Sequence, residues 1–181
     1  MRCDWANGSQ LEKDYHDYEW GKAVHDDQRL FEMLVLESMQ SGLSWSTILN
    51  KRDNFRQAFD HFEIKKVASY DEEKYLALMN DPTIVRHPLK IKAAIHNAQL
   101  ILDIQAEYGS FDDYFWRFND YQIKVNHWQQ LSEVPATTVL SDEISRTMKK
   151  SGFKFIGSTT IYAFMQAIGM VDDHLESCEY K

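Results

Sequence analysis

Only two cysteines occur among the 181 residues, Cys3 near one end and Cys178 near the other, so the chain is not a disulfide scaffold. It has no apolar run of the roughly 18 residues that a membrane-spanning helix requires. Its opening, Met1-Arg2-Cys3-Asp4-Trp5, lacks the apolar stretch of a signal peptide, and a cytoplasmic location is expected. Repeats, linkers and low-complexity segments are missing too, and no stretch alternates with the period of a strand. Basic residues are in deficit: 20 Lys and Arg stand against 28 Asp and Glu, a net charge of −8. That balance argues at first against a nucleic-acid partner. Its distribution softens the objection. From Pro82 to Leu102 the chain carries Arg86, Lys90, Lys92 and two His with no acid, and from Ile144 to Val171 it carries Arg146, Lys149, Lys150 and Lys154, again with no acid.

What is present is a globular balance, 44% hydrophobic and 27% charged, unusually rich in aromatics at 13% with five Trp. The length suits a single core, read as one domain over 1–181. Helical periodicity dominates. A helix is expected from Gln28 to Gln40, capped by Asp26 or Asp27 and stopped by Gly42. Ser44 caps a second, and Asp71 a short third that ends before Pro82. A long helix runs from Leu89 to Tyr108 and closes at Gly109; Ser110 opens another through Phe118. Residues 119–135 are irregular, and two helices follow at Ser141–Lys150 and Ser158–Ile168. The fold class is all-α, with the chain ends packed together.

Cys3 and His16 lie at one end; His174 and Cys178, spaced i, i+4, lie at the other. Two thiolates and two imidazoles complete a tetrahedral zinc set, and a saturated set is structural because no position is left for water. The alternative from spacing alone is two free thiols and two ordinary polar histidines.

On the Gln28 helix, Leu30, Met33 and Leu34 form an apolar stripe, and Glu37 falls in its middle. A carboxylate there is costly to bury unless it is bonded or faces a cation. Either an internal Arg or Lys pairs with it, or it belongs to a site. Trp5, Tyr15, Tyr18, Trp20 and Trp45 gather near it in sequence. Aromatic faces around a carboxylate suit a flat cation, although each aromatic alone reads as core.

These residues carry a resemblance. Tyr15-His16-Asp17 with Glu19-Trp20-Gly21, Leu30-Phe31-Glu32-Met33, Leu36-Glu37, Gly42-Leu43-Ser44-Trp45, Ile91-Lys92, Asn97-Ala98, Gly152-Phe153-Lys154-Phe155 with Gly157, Phe164-Met165-Gln166-Ala167 with Gly169, and Asp173-His174 fall in order along nearly the whole chain. The set resembles the bacterial 3-methyladenine DNA glycosylases of type I, within the helix-hairpin-helix glycosylase superfamily. The resemblance implies an all-α fold whose terminal segments, 1–25 and 170–181, meet at a structural zinc held by Cys3, His16, His174 and Cys178. It implies an enzyme that flips 3-methyladenine out of alkylated double-stranded DNA, cuts its N-glycosidic bond and releases the free base, acting as a monomer without a membrane.

By the same resemblance Glu37 and Tyr15 bond the flipped base, Trp45 stacks on it, and Trp5 and Trp20 complete the pocket. Leu43, beside Gly42, is the wedge that fills the duplex gap. The hairpin from Ile84 to Ile91, with Arg86 and Lys90, grips phosphate. The superfamily's usual catalytic Asp is missing from this branch. Two positions depart from the pattern. Glu12 stands where a pocket Tyr is usual, and the hairpin Arg86-His87-Pro88-Leu89-Lys90 lacks the glycine that lets backbone amides approach phosphate. Rival readings from the residues are a metal-dependent phosphohydrolase, from the His16-Asp17 and His25-Asp26 dipeptides, and a non-catalytic module that binds damaged DNA.

Overall fold

The computed structural model describes residues 1–181. Nine α-helices dominate: α1 (Gln10–Tyr18), α2 (Asp27–Gln40), α3 (Trp45–Ala58), α4 (Ile64–Ala68), α5 (Glu72–Asn80), α6 (Pro88–Tyr108), α7 (Phe111–Trp116), α8 (Val139–Lys150) and α9 (Ser158–Ala167). No helix is long and apolar enough to cross a membrane. The caps act where the side chains predicted them. Asp26, Ser44, Asp71 and Ser110 each accept a backbone N–H from the first turn of the helix they open.

Four elements lie outside the periodic pattern. Helix α1 opens with a full capping box, Ser9 with Glu12, a sequence signal present but not used. The short α4 is too brief to show a period. The strands β1 (Lys124–Val125) and β2 (Val171–Asp172) form a two-residue parallel pair, so the fold is mostly helical rather than all-α in the strict sense.

Helix α2 is the axis of the molecule. All ten residues from Leu30 to Met39 are buried, so it lacks a polar face and the expected stripe is only part of its buried surface. One hydrophobic cluster of 42 buried residues surrounds it and extends from Cys3 to Cys178. The first and last segments are knit directly: Gly21 N–H donates to the Gln166 carbonyl, Val24 to Ile168 and Glu179 to Met1, each at 3.0 Å. Gly169 makes the approach possible. A Cβ there would sit 2.3 Å from the Lys22 carbonyl carbon, and its φ of +71° suits glycine alone.

Candidate active site and metal centre

A cavity of about 460 Å³ opens between α1, α2, the start of α3, α9 and the segment 131–135. Helix α2 delivers Glu37 and Gln40 to it, α1 delivers Tyr15, and the N-cap of α3 sets Trp45 at its mouth. Trp5 and Trp20 supply further wall. The indoles and the phenol interlock: Trp5 meets Trp20 edge-on at 5.1 Å between ring centroids, and Tyr15 lies 5.1 Å from Trp45. Trp5, Tyr15, Trp20 and Trp45 therefore line one space with Glu37, whereas Tyr18, on the outer face of α1, is exposed and lies outside it.

Three polar groups of this space are unusual in having no partners. Glu37 is 6% exposed and no hydrogen bond reaches its carboxylate; burial alone pushes it up to about 8 from an ordinary 4.5. The Tyr15 hydroxyl and the Trp45 Nε1 are also buried without a partner. Burial, and then the charge of Glu37, hold the Tyr15 phenol well above its ordinary range. Buried polar atoms are nearly always bonded in native proteins. Three orphans around one cavity mark a place built for a ligand that carries the missing partners.

Behind this wall, Cys3, His16 and Cys178 bring their ligand atoms within 4.8 Å of one another, all buried, and this cluster can hold a metal ion. The expected fourth residue, His174, lies beside it. Its ring stands edge-on to that of His16 at 4.9 Å, and its Nε2 is a further buried atom without a partner. Both imidazoles are oriented by carboxylates through the other nitrogen: His16 Nδ1 lies 2.8 Å from Asp17, and His174 Nδ1 lies 2.7 Å from Asp172. That turns His16 Nε2 toward Cys178 Sγ at 3.6 Å and leaves His174 Nε2 unpartnered, the arrangement typical of metal-bound histidine. Arg2 in turn grips Asp17 through both oxygens. Burial pushes the Cys3 thiol up to about 11, so two thiolates here call for a neutralising cation. The donor set fits zinc. Cys3 also lines the cavity, and Trp20 packs edge-on against His174 at 4.7 Å. The two sites stand back to back.

A sequence profile described as Methyladenine glycosylase matches residues 5–181. The chain belongs to the methyladenine glycosylase family. Within it, the chain is 45% identical over 177 residues to DNA-3-methyladenine glycosylase 1 of Escherichia coli (strain K12), covering 98% of this chain and 95% of that protein. It is 43% identical to DNA-3-methyladenine glycosylase of Haemophilus influenzae, covering 99% and 97%. A crystal structure of 3-methyladenine DNA glycosylase I superposes with a TM-score of 0.96 at 42% identity, covering 99% and 98%. The Staphylococcus aureus enzyme, solved for its recognition of 3-methyladenine, superposes with a TM-score of 0.95 at 35% identity, covering 99% and 96%.

The positions expected to face DNA distribute unevenly. Leu43 is 40% exposed on the turn after α2, where Gly42 has φ +81°. Arg86 is exposed ahead of α6, in the hairpin formed by α5, residues 81–87 and α6. Lys90 departs from expectation: it is 7% exposed, and its ammonium donates to the Met39 carbonyl at 2.9 Å and the Ser41 carbonyl at 2.6 Å. A side chain so placed has no ammonium at the surface for phosphate. Glu12 also lies apart from the cavity, because its carboxylate accepts the Ser9 N–H at 2.8 Å in the α1 capping box. Glu37, Tyr15, Trp45, Trp5 and Trp20 line the cavity without it. The His-Asp dipeptides do not converge: His25 pairs with Asp112 at 2.8 Å while Asp26 caps α2.

Several residues of the site had no signal in the sequence reading. Leu131, Val134 and Pro135 close one side of the cavity from a stretch read only as irregular. Asp173 lines it with both oxygens engaged, Oδ1 by Asn126 and Trp128 and Oδ2 by Tyr162 and Gln166. Glu32, on α2 like Glu37, is buried in a cage of arginines: Arg52 and Arg56 each donate to it at 2.8 Å, and Arg52 also bonds Glu19.

Proposed function

We infer that this chain hydrolyses the N-glycosidic bond of 3-methyladenine in alkylated double-stranded DNA and releases the free base. The observation that carries the reading is the unpartnered Glu37 carboxylate inside an aromatic cavity. A base within a duplex is out of reach, so it must be turned out of the stack, at least cost when it is damaged. Methylation of the ring leaves the nucleobase positively charged and a good leaving group, so little general-acid chemistry is asked of the protein. The indole and phenol faces attract a flat cation, and Trp45 provides the stacking surface.

Glu37 and Tyr15 serve as the hydrogen-bonding partners of the base edge. Buried without a partner, Glu37 is held up to about 8 and so is largely neutral at pH 7. A cation placed against it lowers that value, so ionisation of Glu37 and retention of the charged base reinforce each other. A neutral base gains no such term. The same negative charge favours the oxocarbenium-like sugar, and water is the nucleophile. Leu43 fills the gap in the duplex, with Gly42 giving the turn its shape. Arg86 meets phosphate, joined by the exposed Lys92, Lys149, Lys150 and Lys154.

Residues 1–181 act as one domain and as a monomer, in the cytoplasm. Cys3, His16, His174 and Cys178 hold zinc, which supplies a structural cross-link between the segments 1–25 and 170–181.

Two measurements test this. Release of 3-methyladenine from methylated duplex DNA, identified by chromatography, is expected; binding of that DNA with no base released would leave only a damage-binding module. Chelation, or His174→Ala, should lower the melting temperature by about 10 °C or more, with about one zinc per chain lost. An unchanged melting temperature after complete removal of metal would refute a structural role.

A further inference from the structure

The buried Lys90 is unexplained by any contact with phosphate, and its surroundings suggest another task. We propose that Lys90 is a positioning residue that locks the Gly42–Leu43 turn to the first turn of α6, so that the wedge and the hairpin meet DNA as one rigid unit. The proposal rests on the reading of Leu43 as the wedge.

The end of a helix leaves carbonyls without intrahelical donors. At the end of α2 the three carbonyls of Met39, Gln40 and Ser41 are all satisfied, and two of them by one side chain. Lys90 Nζ takes Met39 and Ser41, while the Leu43 N–H takes Gln40 at 2.6 Å. No carboxylate faces the ammonium; carbonyl oxygens at the negative end of the α2 dipole are its only counter-charge. A compact ammonium with three donors suits two carbonyls side by side.

The turn has little else to hold it. Nothing lies within 4 Å of where a Gly42 side chain would begin, and Ser41, Gly42, Leu43 and Ser44 are all exposed. On the other side, Lys90 is fixed by α6 itself, which starts at Pro88 with His87 Nδ1 accepting the Lys90 N–H at 3.3 Å. Arg86 and Leu89 stand exposed beside it. The clamp therefore joins the piece that enters the duplex to the piece that grips its backbone. Insertion of an apolar side chain works against base stacking, and an unclamped turn recoils instead of prising the step open.

The test is excision from methylated duplex DNA by Lys90→Met, Leu43→Ala and the double variant, with salt dependence and melting temperature followed throughout. Lys90→Met should lower kcat by about a hundredfold, with the slope of log affinity against log salt unchanged. Binding of free 3-methyladenine, read by tryptophan fluorescence, should be preserved, and Lys90→Arg should restore part of the rate. Lys90→Gln, which keeps a donor, replaces Lys90→Met should the latter fail to fold. The double variant should be little worse than the single ones, because the clamp acts through the wedge. A salt slope reduced by about one would make Lys90 a direct phosphate contact and overturn the proposal. So would effects of Lys90→Met and Leu43→Ala that multiply independently. An inert Leu43→Ala would remove the wedge reading itself.

Discussion

Helix α2 buries two glutamates five positions apart in opposite circumstances. Glu32, near its start, sits among Arg29, Arg52 and Arg56; burial alone would raise it, but the guanidinium charges pull it below the ordinary range. Glu37, near its end, has no partner and is pushed up to about 8. The first carboxylate is a closed account of charge, the second an open one. Burial is common to both and decides neither role. What separates them is whether the protein itself supplies the counter-charge or leaves that to a ligand.

The contrast predicts pH slopes of opposite sign along one helix. Glu37 binds its proton more tightly when folded, so its contribution to stability is complete below about pH 4.5 and is lost as pH rises through about 8. Glu32 binds its proton less tightly when folded, so its contribution is present at neutral pH and is lost on acidification. Glu37→Gln should abolish the alkaline decline, worth at most about 5 kcal/mol at about 1.4 kcal/mol per unit, while cutting excision by about a hundredfold. Thermal melts from pH 4 to 10 beside single-turnover assays read both effects. A variant that retains the slope, or full activity, would dissolve the distinction.

Arg52→Met should do the converse. Stripping Glu32 of its buried partner should cost about 3–5 kcal/mol in urea denaturation, and the folded fraction should still bind 3-methyladenine. Loss of base binding without loss of stability would mean that the arginine cage serves the pocket and not the frame. The smallest effect belongs to Tyr15→Phe. Deleting a hydroxyl that bonds nothing in the empty protein should leave the melt within about 1 kcal/mol of wild type, yet weaken binding of the free base by roughly 3–10-fold. Calorimetric titration with 3-methyladenine would show whether that hydroxyl finds its partner in the ligand.

How much of this could be read from the residues follows the same physics. Local signals held. Ser44, Asp71 and Ser110 announce their helices because an N-cap depends on a few neighbours, and Glu37 stands out because its place on an apolar stripe is a matter of spacing. Glu32 carries no comparable local signal, since its counter-charges lie in arginines up to 24 positions away. Lys90 looks in sequence like any other hairpin cation, and only the carbonyls of a distant helix end make it internal. Cys3, His16, His174 and Cys178 are legible as residue types. Their convergence depends on Gly169 admitting the N-terminal backbone, a long-range event that spacing does not report. Leu131, Val134 and Pro135 form a wall through tertiary closure of an irregular segment and carry no local pattern at all.

Cys3 at one extremity and Leu175 at the other both face the chamber that Glu37 overlooks. Both belong to the same hydrophobic core, so the chamber wall and the frame are built from the same contacts. Clipping of either segment, or oxidation of the Cys3 thiol, should therefore breach the chamber wall and loosen the core together.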